Sequence, residues 1–130
     1  MTLVDTSAWI EYFRRTESPI DLRVDELLSG DEELITTEPV VMELLAGARD
    51  YAQEGLLRRT LAACRLERVA PRDWEQAAAI YATGRRRDTI IREQIDCLIA
   101  AVAIRAGIPV LTADRDFELI ADHTPLQLAR

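Results

Sequence analysis

Leu3-Val4-Asp5-Thr6-Ser7 places an apolar pair, an acid and two hydroxyls in direct succession. Thr2 to Asp5 reads as a short strand, and Thr6 or Ser7 as the cap of a helix whose body is Ala8 to Arg15. Near the other end, Val110-Leu111-Thr112-Ala113-Asp114 repeats the design of an apolar strand ending in an acid. Working inward, Ser18-Pro19 opens a helix that carries Leu22, Leu27 and Leu28 to a stop at Gly30. Leu34-Ile35-Thr36 is a second strand, and Thr37-Glu38-Pro39 resets the chain into a helix striped by Val41, Leu44, Leu45 and Ala48. Glu43 falls off that stripe, beside Val40 and Gly47, and close packing gives this glycine its reason to be there.

A helix containing Leu57, Leu61 and Ala62 follows, then a strand near Leu66 to Ala70. The helix from Pro71 shows an apolar face of Trp74, Ala78 and Tyr81 and ends in Arg85-Arg86-Arg87. Glu93 to Ala106 is apolar nearly all round except at Asp96, as expected of a helix buried against a sheet; Gly107 closes it and Pro109 enters the last strand. Strands alternating with helices at this spacing imply parallel pairing through crossovers. The expected fold is therefore α/β, a three-layer α/β/α sandwich with a central parallel sheet, in one domain spanning residues 1–130.

Composition narrows the chemistry. The longest unbroken apolar run, Cys97 to Ile104, is far short of the roughly 20 residues of a membrane span, and no basic segment leads into an apolar one at the start, so a cytoplasmic location is expected. Cys64 and Cys97 are too few and too separated for a disulfide framework or zinc site and read as reduced core residues. A net charge of −7 argues against a broad basic surface that holds nucleic acid, although bound divalent ions would offset part of it locally. All 16 basic residues are arginine. Without lysine, phosphoacceptor and haloacid-type phosphatase chemistry lack a required cation. No G-x-S-x-G elbow or phosphate-cradling glycine loop is present, and the single histidine, His123, reads as a surface residue.

The acids carry the functional signal. In an open parallel sheet, sites form outside the carboxyl ends of the strands, where Asp5 and Asp114 sit. From Asp96 a helix runs roughly 15 Å away from that edge and the following strand returns by roughly 16 Å, which brings Asp96 back beside Asp114. Glu43, about one turn into a helix that leaves a strand, joins them. Carboxylates about 5 Å apart repel by on the order of 3 kcal/mol per pair at an effective dielectric of 20, so some hold protons or a hard cation joins them. Oxygen donors without cysteine or histidine select Mg²⁺ or Mn²⁺, and this points to phosphodiester chemistry. Each acid also has a plainer reading: Asp5 as a helix cap, Glu43 as a solvated helix residue, Asp96 as a complement to the positive start of its helix, and Asp114 as the initiator of the helix containing Phe117.

Taken in order, Val4-Asp5-Thr6-Ser7-Ala8-Trp9-Ile10, Glu43 with Gly47, Ile95-Asp96-Cys97-Leu98-Ile99-Ala100-Ala101 and Thr112-Ala113-Asp114-Arg115-Asp116-Phe117 resemble the successive motifs of the PIN domain, in particular of VapC-type toxins from toxin–antitoxin pairs. The resemblance implies an endoribonuclease dependent on one or two Mg²⁺ or Mn²⁺ ions, made as a homodimer and silenced by a cognate antitoxin protein. Asp5, Glu43, Asp96 and Asp114 are then the catalytic and metal-holding acids, and Asp116 either shares or replaces the role of Asp114. The metal would activate a water and neutralise charge on the transition state. Thr6, Ser7 and Thr112 are expected to hold waters or phosphate oxygens, or to serve as caps and strand ends. Arg14, Arg15, Arg85, Arg86 and Arg87 are candidates for the RNA backbone, against the plainer reading of a solvated face. Trp9 and Trp74 are expected in the core. The competing function is a PIN-like module that binds a partner without turnover. Ile91-Arg92-Glu93-Gln94 carries little family signature.

Overall fold

The structure, a computed structural model, describes residues Met1–Arg130. Its elements in chain order are β1 (Thr2–Val4), α1 (Thr6–Phe13), α2 (Pro19–Ser29), β2 (Leu34–Thr36), α3 (Glu38–Ala46), α4 (Tyr51–Leu61), β3 (Arg65–Leu66), α5 (Pro71–Arg86), α6 (Gln94–Ala106), β4 (Val110–Leu111) and α7 (Asp116–Ala121). The sheet order is β3-β2-β1-β4 and every pairing is parallel, with Thr2 opposite Leu34, Leu3 opposite Val110 and Ile35 opposite Arg65. The chain thus winds outward from β1 to β3 and returns to place β4 on the other side of β1. The carboxyl ends of β1 and β4 flank the point where the winding reverses, which in open α/β sheets opens a crevice. The helices and sheet form the expected α/β/α sandwich.

Leu3, Val4, Ile35, Val110 and Leu111 are buried, as strands covered on both faces require. Residues Asp96 through Ala103 of α6 are buried all round, and Gly107 closes this helix at φ 68°, a left-handed position that favours glycine. The C-terminal segment screens the outer edge of β4: Val110 N–H donates to Gln127 O at 2.9 Å and Ala129 N–H to Val110 O at 2.8 Å. No helix is long and apolar enough to cross a membrane.

Several local expectations are corrected. Strand β3 is Arg65–Leu66 rather than Leu66 to Ala70, because its ladder ends where Glu67 N–H reaches Thr36 O, and Val69 N–H turns to Glu38 Oε1 at 2.7 Å. The buried face of α5 is Asp73, Ala77, Ile80 and Gly84, one position out of phase with the expected stripe, and Trp74 is 62% exposed. An acid caused the error: Asp73 is buried because Arg105 Nε meets both its oxygens, at 2.9 and 3.1 Å. Gly47 is the exposed C-cap of α3 at φ −87°, and a Cβ there would make only ordinary contacts, so close packing does not explain it. The glycine that does permit close approach is Gly84, where a Cβ would lie 3.0 Å from Thr89 O and 3.3 Å from Ile91 Cδ1. It lets the segment leading to Arg92 fold against α5. His123 is half-buried rather than on the surface, its ring nitrogens 3.0 Å from Leu119 O and 3.3 Å from Ile80 O, so that it ties α7 to α5. Cys97 is buried and Cys64 half-buried, both free thiols, and burial pushes them up to about 12 and about 11.

Candidate active site

β1 ends at Val4, and Asp5 N–H donates to Leu111 O of β4 at 3.1 Å, which anchors this acid between the two strand ends. Asp5, not Thr6 or Ser7, caps α1: its Oδ1 accepts from Ala8 N–H at 3.0 Å. The cap reading therefore holds, and the same side chain stands beside Asp96 and Asp114. The neighbouring hydroxyls are spent on carboxylates. Ser7 Oγ donates to Asp5 Oδ1 at 2.8 Å, Thr112 Oγ1 donates to Asp5 Oδ2 at 3.0 Å, and Thr6 Oγ1 donates to Glu43 Oε1 at 2.6 Å. They hold the acids in place instead of standing free for water or phosphate.

Asp96 enters in the first turn of α6 and is buried. Its Oδ2 has no hydrogen-bond partner. Oxygens of Asp96, Asp114 and Asp116 lie within 4.8 Å of one another, so the structure brings both candidate C-terminal acids to the same place. Asp5 and Glu43 stand outside that tightest trio but close enough to act on it. Burial pushes Asp96 up to about 8, with the charges of Asp114, Asp5, Glu43 and Asp116 adding to the effect. Burial likewise raises Asp5 to about 6, in spite of the three donors it accepts from. All the acids named from the sequence thus meet at one sheet edge.

Arg92, in the segment ahead of α6, was not singled out from the sequence, yet it is the cation nearest the cluster. Its Nη2 pairs with Asp114 Oδ1 at 3.0 Å and its Nε with Asp116 Oδ2 at 3.1 Å, while its backbone N–H donates to the same Asp116 oxygen at 3.1 Å. The hydrogen bond and charge of Asp116, then Asp114, raise its pKa above the ordinary guanidinium value. No local signal marks it: Arg92 lies ahead of the cap of α6, and the acids it meets follow it by 22 and 24 positions.

Arg14 alone among the five arginines proposed for RNA lies beside the acids. It lines one cavity of about 470 Å³ with Glu43, Arg49, Ile10, Phe13 and Leu57, and a second of about 470 Å³ with Ser7, Arg92, Asp114 and Arg115. Arg15 faces a separate cavity with Tyr12 and Asp21. Arg85 lies 6.0 Å from the Tyr81 ring in a pocket with Trp74 and Leu98, which shares no residue with the two beside the acids. Arg86 and Arg87 are exposed. Arg49 and Arg115 are additions that only the fold reveals.

The donor set is suited to a hard divalent cation. It offers carboxylate oxygens without sulfur or imidazole, and the buried, unpartnered Asp96 Oδ2 is an acceptor with nothing yet to accept from.

Comparison with known proteins agrees with this geometry. A family model described as the PIN domain matches residues 2–123. The chain is 43% identical over 131 residues to Ribonuclease VapC11 of Mycobacterium tuberculosis and to a VapC ribonuclease of Mycobacterium bovis, with 99% of this chain and 98% of each relative covered. Among solved structures it is similar to DNA-bound VapBC from Salmonella typhimurium, with a TM-score of 0.77 and 21% identity across 98% of this chain and 96% of that one, a likeness of fold. A full-length relationship at this identity, with a buried acid cluster at the sheet's switch point, places the chain in the PIN-domain family of VapC ribonucleases.

Proposed function

We propose that this chain is an endoribonuclease that hydrolyses RNA phosphodiester bonds with Mg²⁺ or Mn²⁺ and serves as the toxin of a toxin–antitoxin pair. The observation that carries the reading is Asp96: a buried carboxylate with one unpartnered oxygen, surrounded by Asp5, Glu43, Asp114 and Asp116. Such a group is costly to bury unless a cation or proton joins it. Asp96, Asp114 and Asp116 would hold the ion most directly, with Asp5 and Glu43 completing the set, one ion or two. A divalent cation there supplies charge neutralisation at the phosphate and acidifies the attacking water.

The remaining work belongs to the protein's own side chains. Ser7, Thr112 and the Ala8 N–H fix both oxygens of Asp5, so this acid does not reorganise during the reaction. Thr6 holds Glu43 Oε1, which orients its carboxylate at the wall of the cavity to align the water and accept its proton. Arg14 and Arg115 face the second cavity and balance the charge of the RNA backbone. The relatives at 43% identity are named as ribonucleases, and RNA is assigned as the substrate on that ground. A cognate antitoxin, a homodimeric assembly and action in the cytoplasm belong to the same proposal, the antitoxin because similar solved structures include a toxin–antitoxin complex from Klebsiella pneumoniae.

The test is cleavage of RNA by the purified chain. Activity should require Mg²⁺ or Mn²⁺, disappear with EDTA, and be lost in Asp5→Asn and Asp96→Asn variants that keep the wild-type circular dichroism. Cleavage undiminished in both variants rejects the assignment. Stable capture of a partner protein with no cleavage of any RNA under either metal would favour the binding-module reading instead.

A further inference from the structure

Arg92 occupies an unusual position for a residue beside a cation site. Its guanidinium spans two carboxylates, Asp114 and Asp116, at 3.0 and 3.1 Å, and its own side chain is 67% exposed while those of its partners are 20% and 4% exposed. The arginine therefore closes the cluster from the solvent side. Asp96, which is buried, belongs to the same group of acids, and its Oδ2 finds no donor. A guanidinium cannot serve both. It is a planar fork of donors, already satisfied by the outer pair, and carries one positive charge against five carboxylates. A divalent ion concentrates twice that charge at a point and accepts oxygens from several directions.

We infer that Arg92 is a built-in counter-cation that competes with the divalent ion for Asp114 and Asp116, and that on metal binding its guanidinium turns to the phosphodiester. The inference rests on the metal-dependent reading above. Three observations make the exchange feasible. The arginine head is in water, so leaving the acids does not bury or strand it. The hold on Asp116 does not vanish with it, because the Arg92 backbone N–H still donates to Asp116 Oδ2. Finally, Arg92 already lines the cavity shared by Ser7, Arg14, Asp114 and Arg115, so a released guanidinium joins two other arginines there. A fork with parallel donors suits a phosphate as well as a carboxylate. Arg92 thus guards the acids before loading and becomes a substrate-positioning residue after it.

The experiment is a calorimetric titration of the whole chain with Mn²⁺ alone, in wild type, Arg92→Gln, Arg92→Lys and Asp96→Asn. It is paired with binding of a non-cleavable RNA analogue in Mn²⁺ and with the Arg92 Nε–H resonance during Mg²⁺ titration. Removing the competitor should tighten Mn²⁺ binding roughly fivefold in Arg92→Gln, the scale of one exposed ion pair, while weakening RNA binding by a similar factor. Arg92→Lys keeps the charge without the fork and should fall between wild type and Arg92→Gln in both measurements. The Nε–H resonance should shift as Mg²⁺ is added. If Arg92→Gln fails to fold, Arg92→Lys and the resonance decide alone. Wild-type binding of Mn²⁺ that Asp96→Asn abolishes, with no tightening in either arginine variant or with an unmoved resonance, overturns the exchange but leaves the metal-dependent reading intact. No Mn²⁺ binding by wild type overturns both.

Discussion

Thr112 Oγ1 donates to Asp5 Oδ2 at 3.0 Å across 107 positions of sequence, joining the end of the last strand to the end of the first. The same hydroxyl accepts from Asp114 N–H at 2.9 Å. One side chain therefore sets both the carboxylate at the head of α1 and the turn that carries Asp114. Replacing Thr112 by Val keeps the shape and removes both bonds. Stability should fall by about 1–2 kcal/mol, since the lost donor served a buried charged group, and Mn²⁺ binding should weaken. Urea denaturation and titration calorimetry check this; wild-type values in both would mean the hydroxyl is incidental.

Glu43 depends on Thr6 in the same way. Thr6→Val should lower the RNA cleavage rate by roughly tenfold with little change in folding, because an acid held for proton transfer loses its orientation. Thr6→Ser, which retains the hydroxyl, should recover most of the rate. Equal activity in the two variants would remove Thr6 from the mechanism.

The raised carboxyls make metal-free stability depend on pH in an unusual direction. Asp5 at about 6 and Asp96 at about 8 hold protons in the folded chain that the unfolded chain, with ordinary values near 3.8, has already released. Between about pH 4 and 8 the native state therefore binds more protons, and stability should decline as pH rises, by a few kcal/mol in all, then level off. Saturating Mg²⁺ should remove most of the decline. Denaturation in EDTA from pH 5 to 9 measures the slope, and stability that climbs over this range would contradict the assigned burial.

Asp96→Asn should separate stability from function. With the buried charge gone, the metal-free protein at pH 8 should gain about 1–2 kcal/mol, while the stabilisation of about 2.7 kcal/mol expected at one hundred times the dissociation constant of the metal should vanish. Thermal melts with and without Mg²⁺ report both. A variant that is less stable without metal would indicate that Asp96 is a structural acid.

Asp73 is the opposite case, a buried acid already partnered, by Arg105. Besides Asp73, Arg105 donates through Nη2 to Arg68 O at 2.9 Å and pairs with Glu67 at 3.6 Å, fastening α6 to the start of α5. Burial acts to raise Asp73, but the Arg105 hydrogen bond and the Ala70 N–H outweigh it and leave its pKa below the ordinary value. Arg105→Ala should cost about 3 kcal/mol, because Asp73 is left buried and unpaired. Its contribution should be present above about pH 4 and lost at lower pH, as Asp73 takes up a proton in the folded state. Chemical denaturation of the variant at pH 7 is the check.

Much of this architecture is legible in the residues because strand and helix periods record burial. The apolar run that leads into Asp5, the helix stops at Gly30 and Gly107 and the all-round apolar α6 each follow from a local rule, and the structure bears them out; the last strand is shorter than expected, Val110–Leu111, and Asp114 lies in the turn beyond it. The reading failed where a charged group is buried. Asp73 shifted the assigned face of α5 by one residue and sent Trp74 to the surface, because hydropathy counts an acid as solvent-facing whether or not an arginine elsewhere neutralises it. Arg92 was passed over for a related reason: its value lies in Asp114 and Asp116, which follow it by 22 and 24 positions.

Taken by itself, the order of residues determined that strands and helices alternate, that the sheet is parallel, and that acids terminate its elements at one edge. Tertiary structure decided which partner each acid receives: hydroxyls for Asp5 and Glu43, an arginine for Asp114 and Asp116, and none for one oxygen of Asp96. The division has a physical cause. Burial pattern is a local property of backbone period and side-chain polarity, whereas the charge state of a buried carboxylate is set by whatever the fold brings within a few ångströms of it.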